Sequence, residues 1–252
     1  MGEQRFKLQH QVNYYECDPS GHLSLSTLVA LMILASEKQN AQLGVDEHVT
    51  KQLGGGWVII DYEAHFEQAW PSENDVIQFE TQIVAYNKYF VVRQFTIKDH
   101  DEQIIGTVNG LFIYMDLAKR RMTKIPDKIM APYEATSCLR LPKVARPDKV
   151  ALTDAWQTQQ YRVRYFDIDY NGHVNNARYF DWMLDTLDHD FLKKHQIVEM
   201  RMNYEHEVRP ETMVKSFVTA PQIDVDGDYI THHKILVEAD ECAIATIKWR
   251  EI

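Results

Sequence analysis

An α+β fold built twice, each unit a long helix wrapped by an antiparallel sheet, is what this chain predicts. Three observations carry the prediction. Residues 10–24 reappear at residues 161–175 with a fixed offset of 151: Val12, Tyr14, Asp18, Gly21 and His22 match Val163, Tyr165, Asp169, Gly172 and His173. Each copy then runs into apolar residues at helical spacing. Each helix is followed by short runs in which apolar and polar residues alternate, the pattern of half-buried strands.

In the first copy Leu25, Leu28, Val29, Leu31, Met32 and Leu34 mark the helix, and Gly54-Gly55-Gly56 breaks the chain after it. Residues 57–62 form the next strand-like run. Ile77, Phe79, Thr81, Ile83 and Ala85 then alternate with Gln78, Glu80 and Gln82. Residues 89–97 and 104–115 give two more strands, with turns at Asn74-Asp75, Asn87-Lys88 and His100-Asp101. Four of the eight prolines, Pro126, Pro132, Pro142 and Pro147, fall where the pattern lapses. The expected organisation is a unit over residues 1–118, a linker over 119–154 and a second unit over 155–252. The second unit repeats the plan: a strand over 156–166, a helix over 176–189, and strands near 199–208, 214–220, 229–237 and 243–250. Asp226-Gly227 is a hairpin signal.

A long helix wrapped by an antiparallel sheet is the hotdog fold. Such units pair, because one sheet alone leaves an open edge. Two copies in one chain can form that pair internally, so the expectation is a tandem double hotdog, either a monomer with an internal pseudo-dimer or a homodimer.

Composition narrows the function classes. Hydrophobic residues make up 45% and charged residues 25%, as in soluble globular proteins. No run has the length of a membrane span, and the N-terminal residues carry no apolar signal core. The three cysteines, Cys17, Cys138 and Cys242, are scattered and odd in number, which fits a reducing cytoplasm. A net charge of −10 disfavours nonspecific nucleic-acid binding.

The chemistry concentrates in Asp169, Asn171 and His173, which sit at alternate positions and would share one face of an extended segment. Gly172 permits a sharp turn, and Asn175 or Asn176 can cap the following helix. Unpaired backbone N–H groups at that helix start, near Val174, can polarise a carbonyl oxygen. The string starting at Asp167 also opens like a calcium-binding EF-hand loop, but the position that needs a glutamate holds Arg178. Neither a metal nor another cofactor is expected.

The ordered set of motifs resembles the acyl-acyl carrier protein thioesterases, double-hotdog enzymes of plants and bacteria that release free fatty acids. The string from Asp169 to Asn176 resembles that family's C-terminal signature, with Trp182 following it. Trp57-Val58-Ile59 and residues 119–126 resemble its N-terminal half. The resemblance implies that Asp169, Asn171 and His173 act with Glu207, which arrives from a later strand. Some relatives carry a cysteine just after that glutamate. Here the position is Val208, so a cysteine nucleophile is not expected. Plant members carry an organelle-targeting extension, and its absence leads us to expect a bacterial cytoplasmic enzyme.

On this reading Glu207 is the base for the attacking water. Asn171 and His173 bind the water and the thioester, Val174 supplies a backbone donor, and Asp169 orients its neighbours. A covalent anhydride on Glu207 is the other mechanism the residues allow. The first copy has Ser20 in place of Asn171 and His65 in place of Glu207, so its Asp18 and His22 read as structural. By resemblance the first unit holds the acyl chain, with Leu28, Met32, Trp57, Ile59 and Phe95 as candidate lining. The implied partner is acyl carrier protein with a fatty acyl chain on its phosphopantetheine arm. Clusters at Lys119-Arg120-Arg121 with Lys124, at Lys143 with Arg146, and at Lys193-Lys194 are candidate docking surfaces for that acidic partner. The alternatives are a thioesterase acting on coenzyme A esters and a catalytically silent hotdog protein that binds acyl lipids.

Overall fold

The computed structural model describes residues 5–252. The chain starts with β1 (Phe6–Gln11), followed by a loop that leads into α1 (Leu25–Gln42). Ser24 starts α1 because its hydroxyl accepts the Thr27 N–H at 3.3 Å. A short α2 (Glu47–Gln52) follows, then four strands: β2 (Gly55–Phe66), β3 (Val76–Tyr86), β4 (Phe90–Lys98) and β5 (Ile104–Asp116). The small β6 (Arg121–Met122), paired with β5, and α3 (Asp127–Met130) follow. The second unit holds β7 (Gln157–Arg162), α4 (Arg178–Leu184), α5 (His189–Lys194), β8 (His195–Tyr204), β9 (Met213–Val218), β10 (Gln222–Ile223), β11 (Tyr229–Val237) and β12 (Asp240–Glu251).

The twelve strands among the described residues make one antiparallel sheet, in the order β1-β3-β4-β5-β2-β8-β12-β11-β9-β7, with β6 on β5 and β10 on β11. The order is a palindrome of the two units, joined where β2 pairs with β8. At one end of that pairing Asp61 lies opposite Asn203, and the Asn203 Nδ2 donates to Asp61 Oδ1 at 2.7 Å. These two residues also correspond when Tyr62-Glu63 is aligned with Tyr204-Glu205, so the pseudo-two-fold axis crosses the sheet at this pair. Pairing inside the chain removes the edge that an isolated unit would expose. The stretch between units crosses the same junction: Arg146 Nε meets the buried Asp61 carboxylate at 3.2 Å, and the Ala145 N–H donates to Glu63 at 2.9 Å.

The core is shared. Leu28, Val29, Met32 and Ala35 of α1, Phe79 and Phe95 of the first unit, and Phe180 and Met183 of α4 belong to one buried cluster. Each such large side chain taken out of water contributes about 1.5–3 kcal/mol. A second cluster, with Val45, Ile83, Tyr114, Ile129 and Tyr133, seals the outer end of the first unit. Among the described residues no helix is long and apolar enough to cross a membrane.

The second helix departs from the sequence expectation of one run over 176–189. It stops at Leu184, and α5 restarts at His189. Asp188 is the cause: its carboxylate accepts the N–H groups of Asp190 and Phe191 at 2.8 and 3.2 Å, which caps a new helix instead of continuing the old one.

Candidate active site

Both units build the same loop after their first strand. In the second unit the Asp169 N–H donates to the His173 carbonyl at 2.8 Å and the Gly172 N–H to the Asp169 carbonyl at 3.0 Å. Gly172 takes a φ of +82°, which favours glycine. The Asp169 Oδ1 accepts the N–H groups of Asn171 and His173 at 2.9 and 3.3 Å. The segment is therefore a tight turn and not the extended run that alternation predicts. Asp169 orients Asn171 and His173 through their backbones. The first unit repeats these contacts at Asp18, Gly21 and His22, with distances of 2.8 and 2.9 Å.

A carboxylate braces each loop from below. Asp167 is fully buried, and it accepts the Arg164 N–H at 2.8 Å and the Arg164 guanidinium at 2.7 Å. Burial pushes its carboxyl up, but the hydrogen bonds from Arg164 outweigh this and hold it below the usual range. With its charge spent on Arg164, Asp167 is not offered to a cation. Glu16 does the same work in the first unit, accepting the Asn13 N–H and meeting His10 Nε2, each at 2.8 Å.

Glu207 does not lie in a strand, because β8 ends at Tyr204. The chain beyond is pinned on both sides of it. The N–H groups of Glu205 and His206 donate to the Cys242 carbonyl at 2.9 and 3.1 Å, and the Val208 N–H donates to Tyr179 Oη at 3.2 Å. This places Glu207 Oε1 3.3 Å from His173 Nε2, while Oε2 contacts the Arg120 guanidinium. Arg120 lies between β5 and β6 with a φ of +49°. His173 and Glu207 thus come together. Asn171 touches neither, and its Oδ1 accepts from Lys51 Nζ at 2.9 Å.

Val174 is buried at the end of the turn, bridged to Ile168. Among the described residues no carbonyl accepts its N–H. Its counterpart in the first unit, Leu23, donates to the Pro71 carbonyl at 2.8 Å. With no carbonyl on it, this N–H can serve a developing oxyanion.

Three tyrosines, Tyr62 and Tyr179 buried and Tyr204 partly so, tie these parts together. Tyr204 Oη donates to the Asn176 carbonyl at 2.9 Å, and the Asn176 amide donates to Tyr62 Oη at 3.2 Å. The Tyr179 and Tyr204 rings meet edge to face at 5.2 Å. Burial pushes all three phenols up, so they remain neutral. Of the candidate lining residues, Leu28, Met32 and Phe95 are fully buried in the shared core. Trp57 and Ile59 are half-buried on β2, and Trp57 packs edge to face on Tyr114 at 5.3 Å. Of the three cation clusters, the one at residues 119–124 touches the site through Arg120, whereas Arg146 is committed to Asp61. Lys51 and Arg120 escaped sequence reasoning as parts of the site, since neither spacing nor periodicity links them to it.

The same two-unit plan appears in known proteins. Residues 3–133 match the acyl-ACP thioesterase N-terminal domain, and residues 150–251 match the acyl-ACP thioesterase C-terminal domain. The chain belongs to the acyl-ACP thioesterase family. A candidate oleoyl thioesterase from Lactobacillus plantarum superposes with a TM-score of 0.96 at 36% identity, covering 99% of this chain and 97% of the other. A 12:0-ACP thioesterase from Umbellularia californica has the same fold, with a TM-score of 0.87 at 21% identity over 98% of this chain and 94% of the other. An oleoyl-acyl carrier protein thioesterase of Coriandrum sativum chloroplasts is 27% identical over 168 residues, covering 62% of this chain and 45% of the relative. The chain spans about half the length of the first curated relatives it matches, 45% to 48%.

Proposed function

We propose that this chain hydrolyses the thioester of fatty acyl-acyl carrier protein, releasing free fatty acid and ending chain elongation. One observation carries the reading: Glu207 Oε1 lies 3.3 Å from His173 Nε2, next along the chain from the Val174 N–H, which donates to no carbonyl among the described residues. Family membership supports it. In the proposed reaction Glu207 takes a proton from a water bound beside the Glu207–His173 pair, and the water oxygen attacks the thioester carbon. The carbonyl oxygen becomes an oxyanion that the Val174 N–H and the Asn171 amide stabilise. The C–S bond then breaks, and the thiolate leaves with the proton gathered by the Glu207–His173 pair. Asp169 holds the turn that aims Asn171 and His173.

The proposed division of labour assigns acyl binding to residues 1–118 and chemistry to residues 155–252, with 119–154 as the linker. The chain would be lined by Trp57 and Ile59, with Leu28 and Met32 of α1 behind them. The carrier would dock near residues 119–124, whose Arg120 reaches Glu207. We place the reaction in a reducing cytoplasm, in keeping with three free cysteines. The test is acid release from acyl-carrier protein and acyl-coenzyme A across chain lengths. Faster release from coenzyme A would reassign the donor. No release from either would leave an acyl-binding protein.

A further inference from the structure

Lys51 stands on α2 of the first unit, 120 residues before the amide it touches in the second. Its Nζ donates to Asn171 Oδ1 at 2.9 Å, pairs with Glu47 at 2.7 Å and sits 5.5 Å from the centre of the Tyr170 ring. Three partners thus fix a side chain that is half exposed. The helix beneath is fixed too. The Asp46 carboxylate caps it by accepting the Val49 N–H at 3.0 Å, and Tyr114 Oη donates to the Thr50 carbonyl at 3.1 Å.

A side-chain amide has one accepting end and one donating end. With a cation on its oxygen, Asn171 is left with its NH₂ as the unused end, and that nitrogen donates to no described residue. We propose that Lys51 is a positioning residue of the catalytic site. It sets the flip of the Asn171 amide so that the NH₂ faces the reacting carbonyl, and by drawing on the amide oxygen it makes those N–H bonds stronger donors. Asn171 is then an oxyanion donor, not a holder of water through its oxygen. This assignment rests on the thioesterase reading above.

The first unit supplies the contrast. Ser20, which stands where Asn171 stands, keeps its hydroxyl partners within its own loop: Asp18 Oδ1 at 2.5 Å and His22 Nδ1 at 2.9 Å. The helix that corresponds to α2 is α5, and its Lys193 and Lys194 do not reach Ser20 among the described contacts. The cation crosses between units in one direction only, toward the loop that keeps the amide.

The test is steady-state hydrolysis of a fatty acyl-carrier protein by wild type, K51M, K51Q, K51R, N171A and the K51M/N171A double variant, with thermal melting alongside. K51M and K51Q are expected to lower kcat about tenfold at unchanged KM and melting temperature. K51R should recover to within about threefold, because Arg keeps the charge and a donor. In the N171A background K51M should cost nothing further, since Lys51 acts through that amide. Full kcat in K51M, a loss confined to KM, or the same loss repeated on N171A would each overturn the assignment. If wild type releases no acid, the thioesterase reading itself fails; wild-type turnover with an unaffected K51M sinks only the role of Lys51.

Discussion

The first unit zips its loop shut. The Leu23 N–H donates to the Pro71 carbonyl at 2.8 Å, the Glu73 N–H meets the Gly21 carbonyl at 3.4 Å, and His22 forms a bridge with Ser72. The second unit starts the same way. The Val163 N–H reaches the Thr212 carbonyl just as the Val12 N–H reaches the Asp75 carbonyl, each at 2.9 Å. From the matched tyrosine to that anchor, however, the first unit runs 13 positions, Tyr62 to Asp75, and the second only 8, Tyr204 to Thr212. The segment that would lie over His173 and Val174 is missing. The gap leaves the Val174 N–H open and lets Glu207 face His173. One repeated loop becomes a structural cap or a reactive site through the length of the chain opposite it.

The sharpest way to break this comparison is at Glu207. Glu207→Ala should lower kcat/KM for acyl release by about a thousandfold, within the range of a lost general base. The fold should persist, because the neighbouring backbone is held by Cys242 and Tyr179 rather than by the Glu207 carboxylate. Full turnover in a folded variant would remove the base from the mechanism. Asn171→Ala should come next, with a loss of about a hundredfold in kcat, the scale of one oxyanion donor. Equal activity of that variant and wild type would leave Val174 as the sole donor.

Much of this was legible in the sequence, for identifiable reasons. The repeat fixed the two loops because their contacts are local: Asp18 and Asp169 each serve residues within four positions. The strands of the first unit were readable because one face of each is buried, as in β3, where Ile77, Phe79 and Ile83 point inward. The break between α4 and α5 was hidden, since Leu187, Phe191 and Leu192 continue an apolar pattern that the Asp188 cap interrupts. The alternation of Asp169, Asn171 and His173 misled in one respect. An Asx turn closed by Gly172 brings their backbones together where an extended strand was expected. Lys51 could not be read at all, and Arg120 only as part of a candidate docking cluster, not as a partner of Glu207. Their partners lie 120 and 87 residues away, and an exposed cation carries no mark of the carboxylate or amide it will meet.

A smaller effect sharpens the contrast between the two braces. Arg164→Ala strips the buried Asp167 of its cation and should destabilise the protein by about 2 kcal/mol at neutral pH. The cost stays below that of a fully buried pair because Arg164 itself is largely exposed. The pH dependence has a definite sign. Asp167 is held below its ordinary range, so its contribution is present above about pH 4 and is lost as pH falls through the depressed value. Urea midpoints should therefore differ most between wild type and variant at neutral pH, and should converge as pH falls below the ordinary aspartate range. His10→Ala removes only one of the partners of Glu16 and should cost less. Coincident midpoints for wild type and Arg164→Ala across the range would show that the ion pair is not what holds the second loop.

The smallest expected effect is the most pointed. His22 occupies the place of His173, but its ring meets Ser20 Oγ of its own loop at 2.9 Å and its backbone is bridged to Ser72. His22→Ala should leave acyl release within about twofold of wild type, while the melting temperature drops by a few degrees for the lost hydrogen bond. The same substitution at His173 should do the reverse, lowering turnover with little change in melting, because His173 is half exposed and its side chain meets only the Glu207 carboxylate among the described contacts. If His22→Ala abolished turnover at an unchanged melting temperature, the sealed loop would be part of the chemistry, and chain length opposite the loop would no longer separate a cap from a site.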